Sequence, residues 1–170
     1  MIKTPRLIIR PAALEDAPFL FQLNSDPEVI RFTGDEICKN IDEAQELITK
    51  KLVPQLQLYK TSRFLVFLLD GTFIGMCGLK FFPDQKEVDL GYRFLKKYWG
   101  KGYATEASQA CLQWGFKHLK LNRIIAKVMP ENIQSIKVLQ KLNMKFYGIN
   151  RDPSDPAGFL TYEIKSEDIE

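Results

Sequence analysis

Leu90-Gly91-Tyr92-Arg93-Phe94-Leu95-Lys96-Lys97-Tyr98-Trp99-Gly100-Lys101-Gly102-Tyr103-Ala104-Thr105-Glu106-Ala107 decides how the rest of the chain is read. The residues from Val88 to Phe94 are rich in β-branched and aromatic side chains and predict a strand. From about Lys101 onward, Ala104, Ala107, Cys111 and Trp114 recur at helical spacing, which predicts a helix ending near His118 to Lys120. Between the two, Gly100 and Gly102 lack a Cβ, so the backbone can turn sharply and a ligand can come close. A helix start offers unpaired N–H donors and the positive end of the helix dipole. With Lys96, Lys97 and Lys101 around it, the loop suits a phosphate or pyrophosphate. Such a junction also occurs without a ligand, and spacing alone leaves both readings open. It is not a Walker loop, because no G-K-[ST] follows, and Thr105 stands where a G-x-G-x-x-G pattern needs glycine.

Upstream, Phe64 to Leu69 and Phe73 to Leu79 flank Asp70-Gly71 and predict a β-hairpin. Gly75 and Gly78 in its second arm suggest a bulge or a close approach of backbones. Pro83 to Lys86 then turns the chain into the central strand. Further back, Arg6 to Arg10 predicts an edge strand stopped by Pro11, and Leu14 to Asn24 a helix with acids at its start. Asp26 and Pro27 open a short helical turn through Ile30. Asn40 caps a helix carrying Ile41, Ala44, Leu47, Ile48 and Leu52, which Pro54 should kink or end near Val53.

Downstream, Arg123 to Val128 predicts a strand, parallel to the central one because a helix connects them. Asn132 caps a helix with Ile133, Ile136, Leu139 and Leu142. A strand from Phe146 to Ile149, a loop over Pro153, Ser154, Asp155, Pro156 and Gly158, and a strand from Phe159 to Ile164 complete the chain. The order β α α β β β α β α β β predicts an α+β (mixed α/β) fold in a single domain over residues 1–170.

Bulk properties narrow the partners. The chain has 170 residues, and its net charge of +3 is too mild to argue for nucleic acid. No apolar run is long enough for a membrane span, and the amino terminus has no hydrophobic signal core, so the expected location is cytoplasmic. Cys38, Cys77 and Cys111 are odd in number and far apart, which indicates neither a disulfide framework nor a zinc site, and no metal is expected.

The run GYRFLKKYWGKGYATEA resembles motif A of the GNAT N-acetyltransferases, whose core pattern is Q/R-x-x-G-x-G/A, and within that family the ribosomal-protein N-terminal acetyltransferases. Lys97 stands at the first motif position, keeping charge but losing a planar, multi-donor contact. The resemblance covers about Arg6 to Glu163. It implies the GNAT acyl-CoA N-acyltransferase fold, a mostly antiparallel sheet with one parallel, splayed strand pair flanked by helices. It also implies acetyl-CoA as co-substrate. The cofactor would lie along Tyr92, Arg93 and Phe94, and the loop residues Lys97, Trp99, Gly100, Lys101, Gly102, Tyr103 and Ala104 would hold its pyrophosphate. Asn132 and Ser135 match an N-x-x-S pattern that the family places beside the cofactor. The acceptor implied is a primary amine: a protein N-terminus, a polyamine, an amino acid or an aminoglycoside. The protein would be a monomer or a homodimer.

Transfer to an amine needs a base, a donor for the carbonyl oxygen and a proton for the leaving thiolate. Glu87 and Asp89 share one face of the central strand, either as bases or as a solvated acidic face. Asp89 falls where many GNAT members place a glutamate. The tyrosine that many members use as general acid is replaced by Leu139, which leaves Ser135, Tyr98, Tyr147 or a water. A protein of the same fold that binds CoA without efficient turnover is the alternative expectation. Asn143-Met144 stands where Gly-Phe is usual, a helix-end difference, and His118 near a helix end fits a cap or an exposed position.

Overall fold

The computed structural model describes residues 1–152 and 155–169, with the backbone alone for 151, 152 and 155–157. Eight strands form one sheet. They are β1 (Ile2–Lys3), β2 (Leu7–Arg10), β3 (Ser62–Leu68), β4 (Phe73–Phe82), β5 (Glu87–Phe94), β6 (Arg123–Val128), β7 (Lys145–Asp152) and β8 (Asp155–Lys165). Their order is β1-β2-β3-β4-β5-β6-β8-β7, antiparallel throughout except for β5 against β6. The α+β expectation, with one parallel pair inside an antiparallel sheet, holds. The loop expected over residues 153–158 is shorter, because β8 already begins at Asp155; Pro153 and Ser154 lie outside the described residues.

Helices cover both faces. On one lie α5 (Tyr103–His118) and α6 (Ile133–Lys141), and on the other α1 (Ala17–Asn24), α2 (Pro27–Ile30), α3 (Ile41–Leu47) and α4 (Val53–Tyr59). Strand alternation divides the core accordingly. Val88, Leu90 and Phe94 pack with Ala107, Cys111 and Leu112 of α5. Leu65, Phe67 and Met76 point the other way, against Leu20, Leu23, Ala44 and Ile48.

Pro54 does not end its helix. Residues 41–59 run on through a π turn at Ile48–Leu52, where the Val53 N–H reaches back to the Ile48 carbonyl. The wider turn takes up the misfit that a proline ring creates in a regular helix. At the end of α6, Asn143 takes the left-handed conformation (φ 58°) and the Met144 N–H closes on the Leu139 carbonyl at 3.1 Å. Asparagine thus substitutes for the usual glycine, and the difference is structural. His118 is exposed.

Candidate active site

The expected site residues other than Glu87 gather where β5 parts from β6 and in the loop that follows β5. Among the described residues these strands pair at Asp89–Ile125 alone, whereas β5 stays paired with β4 as far as Gly75–Phe94. A notch therefore opens beyond Asp89, and the edge of β5 at Tyr92 and Arg93 faces it. Asp89 helps to open it: its Oδ1 accepts the Lys127 N–H of β6 at 3.3 Å. A side chain has taken a main-chain donor on the strand that β5 leaves.

The loop after β5 begins with Phe94, whose carbonyl is occupied: the Trp99 indole N–H donates to it at 2.7 Å. Trp99 thereby fixes the loop while its ring stays 46% exposed beside Gly100. Lys96 pairs with Glu28 of α2 and is drawn away from the loop. Lys97 and Lys101 remain, exposed, with their Nζ atoms 5.1 and 5.7 Å from the Tyr98 ring centre. The helix starts two residues later than the expected Lys101. Gly102 is its N-cap in the left-handed region (φ 81°), so Tyr103 and Ala104 sit in the first turn, where N–H groups lack partners within the helix. Gly100 is left-handed too (φ 72°) and faces open space. Bare backbone, free donors and two cations suit a pyrophosphate.

A tie that local reading could not find secures this loop. The Glu106 carboxylate accepts from the Thr4 hydroxyl at 2.6 Å, the Arg6 main-chain N–H at 3.0 Å and Arg6 Nε at 2.5 Å. The same guanidinium donates to the Lys101 carbonyl at 3.0 Å and stacks 4.5 Å from the Tyr103 ring centre. Burial alone would push the Glu106 carboxyl up, but the bonds from Thr4 and Arg6 outweigh it and hold it below the usual range. The stability this adds is present above the ordinary carboxylate range and is lost as pH falls through the lowered value.

The two acids separate. Glu87, at the start of β5, pairs with Arg123 (3.3 Å) and lies 3.8 Å from Lys127 Nζ. At about 3.3 Å per residue it is roughly 16 Å along the strand from Tyr92. Asp89 stands at the mouth of the notch and is buried rather than solvated, 8% exposed. Its carboxylate pairs with Arg63 of β3, whose Nη1 also donates to the Gly78 and Asp89 carbonyls at 2.6 and 2.7 Å. Burial pushes the Asp89 carboxyl above the usual range, and Arg63 and the Lys127 N–H pull it only partway back.

Across the notch, Asn132 caps α6 by accepting the Ser135 N–H at 3.2 Å. Ser135 Oγ lies 2.7 Å from the Tyr92 hydroxyl, which also reaches the Ser135 carbonyl at 3.3 Å. The sequence offers Tyr92 only for its backbone; its side chain joins β5 to α6. Burial pushes the Tyr92 phenol well above its usual range, so it carries its proton. Leu139 is 1% exposed in the core. Of the other candidate acids, Tyr98 lies under Lys97 and Lys101, and Tyr147 is exposed on β7.

A glycine loop at a helix start, a parted parallel pair and a buried carboxylate with hydroxyls across the gap stand where the sequence resemblance implies an acyl-CoA site. The comparisons agree. Residues 6–145 match the acetyltransferase (GNAT) domain family. An uncharacterized N-acetyltransferase, p20, from Bacillus licheniformis is 36% identical over 160 residues, covering 92% of this chain and 89% of that protein. A GNAT-family acetyltransferase crystal structure from Bacillus anthracis superposes with TM-score 0.83 at 28% identity, covering 98% of each chain. Spermidine N-acetyltransferase from Vibrio cholerae, in complex with CoA and spermine, shares the fold with TM-score 0.81 at 19% identity, covering 97% of this chain and 98% of that one. The chain belongs to the GNAT acetyltransferase family, and it is an N-acetyltransferase.

Proposed function

We propose that the protein transfers acetyl from acetyl-CoA directly to a primary amine, either a protein N-terminal α-amine of the ribosomal-protein type or a small-molecule amine, in the cytoplasm. The observation that carries this reading is the single paired position between β5 and β6, followed by a left-handed glycine loop at a helix start. Acetyl-CoA supplies the activated acyl group. Main-chain N–H groups around Gly100 to Ala104, with Lys97 and Lys101, hold the pyrophosphate, and the edge of β5 at Tyr92 and Arg93 lies along the pantetheine. Asp89 accepts the proton of the attacking amine through a water. Ser135 gives its hydroxyl proton to the departing thiolate, and Tyr92, at 2.7 Å, passes its own proton to Ser135 and takes one back from solvent water.

The hydroxyl pair supports this reading over the alternative, a catalytically weak CoA-binding protein of the same fold, which rests on Leu139. A thiol-release assay over an amine panel, beside calorimetry with acetyl-CoA, decides between them. Ser135→Ala should lower turnover by roughly a hundredfold, and Tyr92→Phe by about tenfold, within the range of acid catalysis. The double variant should be no worse than Ser135→Ala alone, as expected of groups acting in series. Full activity in both single variants would discard the pair. Tight acetyl-CoA binding with no release of thiol for any amine would discard the transferase reading.

A further inference from the structure

The face of β5 turned toward α1–α4 carries Asp89, Gly91 and Arg93, and its charges are unequal. Arg63 lies flat over Gly91: a Cβ there would stand 2.5 Å from its Nη2, so only glycine admits the guanidinium. Beside it, Lys80 of β4 stands opposite Asp89 in the strand register. Its side chain is partly buried, 4.6 Å over the Phe82 ring, and no carboxylate among the described residues forms an ion pair with it. Burial, then the neighbouring Arg63 and Lys51 cations, pull its ammonium below the usual range. Farther along β5, Arg93 is held by Asn24 Oδ1 at 2.7 Å and by Asp35.

A second observation points the same way. Because arginine only donates, the Asn24 oxygen must face Arg93 and its amide nitrogen must face away. That Nδ2 is buried and has no partner among the described residues, in a residue 4% exposed. An orphaned buried donor is unfavourable and calls for an acceptor. On this face Arg63 is paired with Asp89 and Arg93 with Asp35, which leaves the Lys80 ammonium as a cation with no ion-pair partner among the described residues.

We infer that the acetyl acceptor is an amine that also bears an anionic group, a carboxylate or a phosphate, and that Lys80 beside Arg63 is the subsite that holds it. The inference rests on the transferase reading and deepens it. A polycation would bring like charge to an unpaired, partly desolvated ammonium, whereas an anion completes its pairing. Arg93 and Asn24 lie farther along the same face of β5, where the free Nδ2 offers an acceptor oxygen a further donor.

The test uses the CoA-loaded protein and a homologous series of ω-amino carboxylates with their amides and the matching diamines. Calorimetry reads affinity, and thiol release from acetyl-CoA reads turnover. The carboxylate should bind about tenfold tighter than the amide, and the diamine weakest of the three. Lys80→Gln should reduce the carboxylate-to-amide ratio to within about twofold. If that variant does not fold, the same ratio in the unaltered protein should fall toward one as salt rises, because the preference is charge on charge. Equal binding of the three, or preference for the diamine, overturns the inference. The expected affinity order without turnover for any amine overturns the transferase reading and leaves the anion subsite standing.

Discussion

Asp89→Asn lowers turnover by roughly ten- to a thousandfold at neutral pH, the range that loss of a general base gives. An alkylamine with a pKa near ~10 is almost wholly protonated at pH 7, so a group at the site must take its proton. Asp89 is the carboxylate at the mouth of the notch, while Glu87 is farther back and engaged by Arg123. Burial raises the Asp89 carboxyl, so the acidic limb of the wild-type pH–rate profile should lie above the ordinary ~3.9 of aspartate. In the variant that limb should vanish, and the deficit should shrink as pH rises and free amine appears. The sign for stability is the opposite. A raised acid binds its proton better when folded, so its contribution is full below the ordinary pKa and is lost as pH climbs through the raised value. Because Asp89 also holds the Lys127 N–H, acetyl-CoA affinity is measured in parallel. Parallel pH curves with no loss would exclude Asp89, and an affinity loss equal to the rate loss would make it a strut of the notch. A protein α-amine, with a pKa near ~8, leans on the base less, so a small effect with strong activity on peptides would favour that acceptor.

Gly102→Val should weaken acetyl-CoA binding by about a hundredfold while lowering the melting temperature by only a few degrees. Left-handed backbone costs a side-chain residue about 1–2 kcal/mol, more when β-branched, and a Cβ here would come within 3.4 Å of Arg6 Nη2. Relaxing that strain turns the loop and swings the first N–H groups of α5 off the pyrophosphate. Stability suffers less, because Gly102 is exposed and outside both cores. Calorimetry with acetyl-CoA beside thermal melting checks it. Losses of the same size in both would make the glycine a fold determinant rather than a ligand-binding one.

What was legible in the sequence is what adjacent residues decide. The strand, glycine loop and helix from Val88 to His118 follow from local spacing, as does the parallel placement of Arg123 to Val128. Asn132 capping Ser135 is local as well, an i to i+3 contact. The partners of the site residues were not legible, because chain-distant contacts set them. Arg63 meets Asp89 across two strands, Tyr92 meets Ser135 across the notch, and Arg6 meets Glu106 from the far edge of the sheet. Alternation placed Asp89 on the correct face but could not reveal the arginine that covers it. Pro54 misled for a related reason: a π turn absorbs a proline that local rules treat as a stop.

The tie from Arg6 to Glu106 and the Lys101 carbonyl makes the amino-terminal strands and the cofactor loop thermodynamic partners. Linkage runs both ways: whatever factor the docked hairpin adds to acetyl-CoA affinity, bound acetyl-CoA must return as resistance of that hairpin to opening. Amide hydrogen exchange at Leu7 to Ile9 should therefore slow when acetyl-CoA is added, although these residues lie in β2 and outside the loop. Unchanged exchange there would reduce the tie to a surface contact. A fusion tag or truncation ahead of Thr4 would, by the same coupling, be felt as an altered Michaelis constant for acetyl-CoA.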